Sequence, residues 1–400
     1  MARREQVTGP GSRALIVDIV RSAGPISRVE LAEATGLTQP AVSGIVRRLI
    51  ADGVVRETGE LVSTGGKPRA LLEINSHAVY GVGVQLGYEV ITCIVADTTG
   101  GVVGRQSAPG GYGPADEVTA RIAELYRDTL EGLELGNATI AGLAVVAPGA
   151  IDLAAGTFLG PPAPEPLHGF PLRRELETRL GVPVLVENDA AAAAVGEFWS
   201  RQISRDEVFA VIYLGSGLGA GLVLDGALYR GSSSNATELG HVSIDPRGPV
   251  CSCGNVGCLE RYASSAAVLD AARAHPHLAE ALAGRDEVDA FDRLSRAAVE
   301  GDREASQVIE AAAARLADGA LTLANLLDLD RIVLAGPGFA IAGSVWARIV
   351  QERLDARSFA RALHATRVEL ASDPRDSAAI GAAALVLQGS VAPGHDRGAR

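Results

Sequence analysis

Three cysteines and one histidine crowd a short stretch of this 400-residue chain: His241, Cys251, Cys253 and Cys258. Thiolates and a neutral imidazole are good ligands for Zn2+. Four protein ligands leave a tetrahedral ion no open position, so the expected metal role is structural. Gly254 and Gly257 let the chain fold tightly around an ion. The competing reading is three buried, reduced cysteines, which have no reason to cluster this closely. The fourth cysteine, Cys93, lies in an apolar run.

Polar residues without an evident core role flank this knot. Asn188-Asp189 closes an apolar strand and opens an alanine-rich helix. Glu238-Leu239-Gly240-His241 precedes the cysteines, and Leu259-Glu260 follows them. Singly, each has a plain explanation: Asp189 as a helix cap, Glu260 as a solvated acid at a helix start, His241 as a metal ligand only. Together they form a set of carboxylates, an amide and an imidazole, which pairs with the adjacent hydroxyls of a sugar. One ring nitrogen of His241 then holds zinc while the other faces the ligand, and the knot braces the pocket.

The elements that position these groups begin after residue 75. Apolar strands are expected at 80–86, 90–96, 140–146, 182–186, 208–214, 220–224, 331–334 and 368–370. Helices are expected near 115–131, 190–202, 262–274, 303–328, 340–356 and 376–388. Long helices between buried strands mean an α/β body, in two blocks either side of residue 189, with a ligand cleft between them.

The first 75 residues read differently. Leu15, Ile16, Ile19 and Val20 share a helix face, and Gly24-Pro25 ends that helix. Ser27-Arg28-Val29-Glu30 is a capping box that opens a second helix. Thr38 can cap a third, with Pro40 in its first turn. Two short strands, Val54 to Glu57 and Ala70 to Ile74, enclose Gly65-Gly66-Lys67-Pro68-Arg69. The pattern is a winged helix-turn-helix, whose third helix enters the DNA major groove. Gln39, Ser43 and Arg47 lie on its exposed side. Thr38 and Arg48 are placed for the DNA backbone, and Lys67 and Arg69 for the backbone or minor groove. The alternative is a helical dimerisation module with a solvated hairpin.

Charge agrees with this division. The chain carries −12 overall, yet residues 1–75 hold ten Lys/Arg against eight Asp/Glu. An acidic body argues against nucleic acid coating the whole surface and confines contact to the front end. Met1-Ala-Arg-Arg-Glu has no following apolar run, so no secretory signal is expected. The apolar stretch from Val208 to Leu224 is interrupted by four glycines and reads as two strands rather than a membrane span. The expected compartment is the cytoplasm, with no membrane partner.

The residues above resemble the ROK family, which holds sugar-responsive transcriptional repressors and bacterial-type sugar kinases. The most specific elements are Glu238 to His241, Cys251 to Glu260, Glu187-Asn188-Asp189, Ala147-Pro148-Gly149, and the glycine loop from Leu214 to Gly221. The resemblance implies an actin-like or hexokinase-like pair of lobes, divided as 76–188 plus 376–400 and 189–375 behind a winged helix of 1–75. It implies sugar contacts from Gly149, Asn188, Asp189, Glu238, His241 and Glu260. In the kinases, the aspartate matching Asp189 is the general base. Ala191 stands where the family often has asparagine.

The nucleotide side departs from the family. Its kinases carry Asp-x-Gly-Gly-Thr on the first strand turn, where this chain has Gln85-Leu86-Gly87-Tyr88-Glu89. An amide replaces the magnesium carboxylate, and bulk and negative charge stand where polyphosphate should lie, so turnover should be lost. The expectation is therefore no enzyme but a repressor. It binds a palindromic double-stranded operator as a homodimer or homotetramer, and responds to a sugar or sugar phosphate beside a structural zinc. An active ATP-dependent sugar kinase with a DNA-binding head is the alternative, and a protein-interaction scaffold is a third reading.

Overall fold

Ser27 and Glu30 make the expected capping box. Glu30 Oε2 accepts from the Ser27 amide at 2.8 Å and from its hydroxyl at 2.7 Å, while Ser27 Oγ accepts from the Glu30 amide at 3.3 Å. These bonds hold the Glu30 carboxyl below its ordinary pKa. The computed structural model describes residues 10–62, 69–87, 89–110, 113–135 and 138–393. Its front end has helices α1 (Pro10–Ala23), α2 (Arg28–Thr35) and α3 (Gln39–Ala51). The hairpin Val55–Val62 and Arg69–Ile74 forms the wing, and Ile26–Ser27 adds a third strand against Arg69–Ile74. Gly36, at φ 70°, stops α2 in the left-handed conformation. Ile16, Val17, Leu31, Val42, Val46, Leu49 and Leu72 are the buried faces that hold the three helices to the wing.

Two five-stranded sheets form the body. The first has Val79–Leu86 at its centre. Thr139–Ala147 runs parallel on one side and is followed by Val184–Asn188. Val90–Asp97 runs antiparallel on the other and is followed by Val102–Pro109. In the second, Phe209–Leu214 lies between antiparallel Leu218–Leu224 and parallel Arg331–Ala335, with Ala227–Leu228 and Arg367–Leu370 at the edges. All eight expected strands are present, as the mixed α/β class requires. The long helix Arg303–Leu327 and the helix Gly343–Arg357 pack together, with an apolar core shared with the second sheet.

The alanine-rich helix (Asp189–Ser200) and the C-terminal helix (Ser377–Val391) cross between the sheets. Their backbones touch where Gly196 meets Gly381. A Cβ on Gly381 would lie 1.9 Å from the carbonyl oxygen of Ala192, so no larger residue fits. The buried side chains of these two helices and those of the winged helix form one continuous apolar core.

Four expectations need correction. The segment 262–274 is two helices, Glu260–Ala263 and Ser265–Arg273, because Ser264 adopts an extended conformation and caps the second. Gly343–Arg357 starts later than expected, after the tight turn Pro337–Phe339. The alanine-rich helix begins at Asp189, with Asn188 and not Asp189 as its cap. The wing strand extends to Val62.

Candidate effector site and metal centre

The four metal-binding candidates come together. One ligand atom from each of His241, Cys251, Cys253 and Cys258 lies within 4.8 Å of all the others. His241 Nδ1 is 3.7 Å from Cys251 Sγ, and Cys253 Sγ is 3.7 Å from Cys258 Sγ. A tetrahedron with metal–sulfur bonds of about 2.3 Å has edges of about 3.8 Å, so the donor set fits an ion of zinc's size and preference. Nδ1 faces the thiols, which leaves Nε2 on the opposite edge of the ring. Burial pushes Cys258 up to about 12, assisted by its sulfur neighbours. Burial acts the same way on Cys251, but hydrogen bonds from Cys253 and His241 outweigh it and bring that thiol down to about 7. Cys253 is exposed, so three buried reduced cysteines is not what the chain forms.

Backbone hydrogen bonds close the knot. Cys251 N donates to Asn255 O at 2.8 Å, Ile244 N to Gly257 O at 2.9 Å, and Leu259 N to Val242 O at 2.9 Å. Gly257 has φ 67°, and a Cβ there would lie 1.7 Å from Asp245 O. Gly257→Ala is therefore expected to lower metal content and sugar binding together. Metal analysis of the purified variant checks this, and a full complement of metal would show that the turn tolerates a side chain.

Of the residues expected to hold a sugar, Glu238 and Glu260 flank this knot in the chain, and Asn188 lines a cavity together with Glu238. Asn188 Oδ1 accepts from Ala190 N at 2.9 Å and Ala191 N at 3.1 Å, while its Nδ2 donates to Gly149 O at 3.2 Å. The amide is thus mostly engaged in building the site, and one amide hydrogen is left for a ligand. Gly149, at φ 100°, turns the chain directly after the Thr139–Ala147 strand. Asp189 is buried and accepts from Ala190 N at 2.9 Å. Burial pushes its carboxyl up to about 7, against the backbone bonds that lower it, with Glu238 adding to the rise. Glu238 is raised by burial, lowered by His241 and raised by Glu260. Glu260 Oε2 accepts from Leu218 N at 3.3 Å. Glu238 is near enough to influence Asp189 and to feel His241 and Glu260; it shares a small cavity with Asn188, while Asp189 lines a larger cleft.

Sequence reasoning missed part of the wall. A small cavity beside Asn188, Ala191 and Glu238 is also lined by Arg230, Asn235 and Glu187. Arg230 is ion-paired with buried Glu187, which also accepts from Asn188 N at 2.9 Å. Asn235 accepts from Ile151 N at 2.7 Å and donates to Ile151 O at 3.0 Å, holding the loop after Gly149 over the site. Arg230 and Asn235 sit in an ordinary-looking turn, and no spacing marks them.

A larger cleft of 550 Å3 opens on the other side of Asp189. It is bounded by Gln85, Gly87, Gly215 and Gly338, the turns where a kinase of this architecture would cradle phosphate. Gln85 Nε2 donates to Tyr213 Oη at 2.8 Å. The cleft also carries Glu89, Asp189, Asp286, Glu287 and Asp292, and no Lys, Arg or His is among its described lining residues. Some loss of water around Glu89, and the neighbouring Asp286, raise its pKa although its side chain is exposed. Tyr88 lies outside the described residues.

At the front end, Thr38, Gln39, Arg47 and Arg48 are exposed on α3, and Ser43 is half-buried rather than fully exposed. Thr38 Oγ1 accepts from Ala41 N at 3.4 Å as the helix cap. Arg69 is exposed at the start of its strand. Lys67 and the Gly65-Gly66 turn lie outside the described residues.

Residues 81–389 match the ROK family model, and residues 14–56 match a winged helix-turn-helix DNA-binding model. The chain belongs to the ROK family. The xylose repressor of Caldicellulosiruptor bescii is 27% identical over 381 residues, covering 94% of this chain and 95% of that protein. The DNA-binding transcriptional dual regulator NagC of Escherichia coli is 27% identical over 327 residues, covering 81% and 79%. A crystal structure of a ROK family transcriptional regulator, a homologue of the E. coli MLC protein, superposes with TM-score 0.76 at 26% identity, over 96% of this chain and 97% of that one. Both the winged helix and the ROK body expected from sequence are thus present in one chain. No helix among the described residues is long and apolar enough to cross a membrane.

Proposed function

We propose that this ROK protein is a sugar-responsive repressor and not a kinase. The observation that carries the reading is the 550 Å3 cleft: the face that would receive a nucleotide presents five carboxyl groups and no basic side chain among its described lining residues, although Asp292 is paired with Arg375 and burial holds Asp189 at about 7. Phosphoryl transfer rests on positioning and neutralising the charge of phosphate, and this wall offers no cation among its described lining residues to do so. The residues expected of a sugar site are all present in the chain beside it, and a winged helix stands in front. Relatives named xylose repressor and, in Escherichia coli O6:H1, N-acetylglucosamine repressor (27% identical over 327 residues) make a pentose, hexose or N-acetylated hexose the effector class, free or phosphorylated.

Gly149, Asn188, Asp189, Glu238, His241 and Glu260 bind the sugar, and His241, Cys251, Cys253 and Cys258 hold one structural Zn2+. Residues 1–75 form the DNA reader, 76–188 plus 376–400 the first lobe, and 189–375 the second. The protein binds a palindromic operator as a homodimer or a dimer of dimers, in the cytoplasm where its DNA is. Gln39, Ser43 and Arg47 read bases; Thr38, Arg48, Lys67 and Arg69 hold the DNA backbone. Arg47→Ala is expected to cost about 1–3 kcal/mol of operator affinity without changing sugar affinity, measured by fluorescence anisotropy on one duplex. Unchanged operator binding would remove Arg47 from the interface.

A thermal-shift screen of D-xylose, D-glucose, N-acetylglucosamine and their phosphates, repeated with a chelator, tests the effector site. Ligand that binds the folded form raises the melting temperature by mass action. A hit that the chelator abolishes supports the reading; no shift with any sugar, with zinc present, removes it.

A further inference from the structure

Arg21, on α1 of the winged helix, is buried at 2% exposure. Its guanidinium reaches into the body and donates to three backbone carbonyls at the far end of the alanine-rich helix. Nη1 bonds Phe198 O at 2.8 Å and Trp199 O at 3.0 Å, and Nη2 bonds Ile203 O at 3.0 Å. The same group lies 4.4 Å from the centre of the Phe198 ring and 5.0 Å from that of Trp199. The last carbonyls of a helix carry its negative end, and a planar cation with a fork of donors is suited to them.

Asp18, one turn earlier on α1, is fully buried beside Arg21 and pairs with Arg205 of the body at 3.3 Å. Burial raises Asp18 to about 7, opposed by Arg21 and Arg205, and lowers Arg21 to about 10, opposed by Asp18. Adhesion alone does not need this arrangement. Apolar side chains of the same volume hold two surfaces together as well or better, whereas a buried ion cluster fixes one relative placement.

The alanine-rich helix is what makes that placement matter. It opens on Asn188 and Asp189 of the effector site, and its last turn is the one Arg21 grips. Its 12 residues span about 18 Å as a single rigid element. A second tie, Arg13 Nε to Val391 O at 3.2 Å, joins α1 to the C-terminal helix without touching the alanine-rich one.

We propose that Arg21 is the positioning residue through which the alanine-rich helix carries the state of the effector site to the DNA-binding module. Ligand that tilts or shifts the Asn188 end moves the Trp199 end, and α1 follows because its guanidinium is bonded to that end at three points. The inference rests on the repressor reading. By linkage it runs both ways, so operator binding at the front must be felt at the first turn of the helix.

The test needs no sugar. A duplex selected by the full-length protein from a random-sequence pool serves as operator, and amide hydrogen exchange is followed at Ala190 and Ala191 with and without it. In the wild type, operator is expected to change exchange there by about 5-fold or more, the low end of ordinary coupling. In Arg21→Met the change is expected to fall below about 2-fold on the same scale. Should Arg21→Met fail to fold, Arg21→Lys keeps the charge but not the three-way fork, and the same loss is expected. Arg13→Ala is the control: it weakens the other tie and is expected to leave the response intact. Any of three results overturns the proposal: no response in the wild type, an undiminished response in Arg21→Met (or in Arg21→Lys where the first variant does not fold), or an equal loss in Arg13→Ala. If selection recovers no duplex, the repressor reading falls and this joint with it; if operator responds but no sugar ever binds, only the effector assignment falls.

Discussion

Cys258→Ser is expected to come out of purification without its metal and without sugar binding. The knot links the two ends of the effector site: His241 lies three residues after Glu238, and Cys258 lies two before Glu260. An ion shared by His241 and Cys258 would therefore fix both carboxylates relative to Leu218, whose amide Glu260 accepts from. Cys258 is the most enclosed of the three thiols, with its sulfur 3.7 Å from that of Cys253. Structural zinc contributes folding free energy outright, on the order of 10 kcal/mol in small zinc modules. Loss of one of three thiolates should weaken binding by more than the roughly 10–100-fold that removal of a supporting group costs. Metal analysis and calorimetry on the same sample decide the matter. A variant that keeps sugar affinity after losing its metal would show that the knot is irrelevant to the pocket.

The second large effect concerns Asp189. Burial holds its carboxyl at about 7 in the folded chain against 3.8 for the free side chain. Between those values the folded protein keeps a proton that the unfolded chain releases, so stability falls as pH rises through this window and levels off above about 7. The amide side chain of Asp189→Asn has no such proton to keep. The stability gap between Asp189→Asn and the wild type should widen by about 1.4 kcal/mol per pH unit from about pH 5 to 7, in favour of the variant. Melting curves over that range test it, and parallel curves would contradict the burial argument. The same variant separates the two functions considered for the site. A kinase would lose its base and its turnover, whereas a repressor keeps operator binding and changes only its response to sugar.

The sequence was most informative where the signal is local. The Ser27–Glu30 capping box, the Thr38 cap and Gly36 mark the helices of the winged module because the bonds involved join near neighbours in the chain. The metal ligands were legible for the same reason, being close in the chain and rare in type. The strand Val102–Pro109 was missed because it is a sheet edge: mostly exposed and polar, it lacks the apolar run of the inner strands. The helices Leu172–Leu180 and Glu287–Val299 went unremarked, although the second is clearly amphipathic. The Arg230–Glu187 pair and the grip of Arg21 on Phe198, Trp199 and Ile203 join residues far apart in the chain. An arginine looks the same in a sequence whether it is solvated or buried against distant carbonyls.

The acidity of the nucleotide-side cleft was only half visible. Gln85 and Glu89 stand in the first strand turn and could be read there. Asp286, Glu287 and Asp292 come from a distant helix and its cap, and join the same wall only in the folded chain. Their arrival adds acidic groups, with Asp292 paired to Arg375, to a wall whose first turn has an amide where the family's kinases have a carboxylate.

The central claim is that sugar governs DNA binding and is not phosphorylated. It is tested most directly by titrating the selected operator duplex with protein, in the presence of MgATP, with and without the sugar found by thermal shift. The account predicts a change in operator affinity of about 5–150-fold with sugar and no ADP formed. Sugar-dependent ADP production with operator affinity unmoved would contradict it.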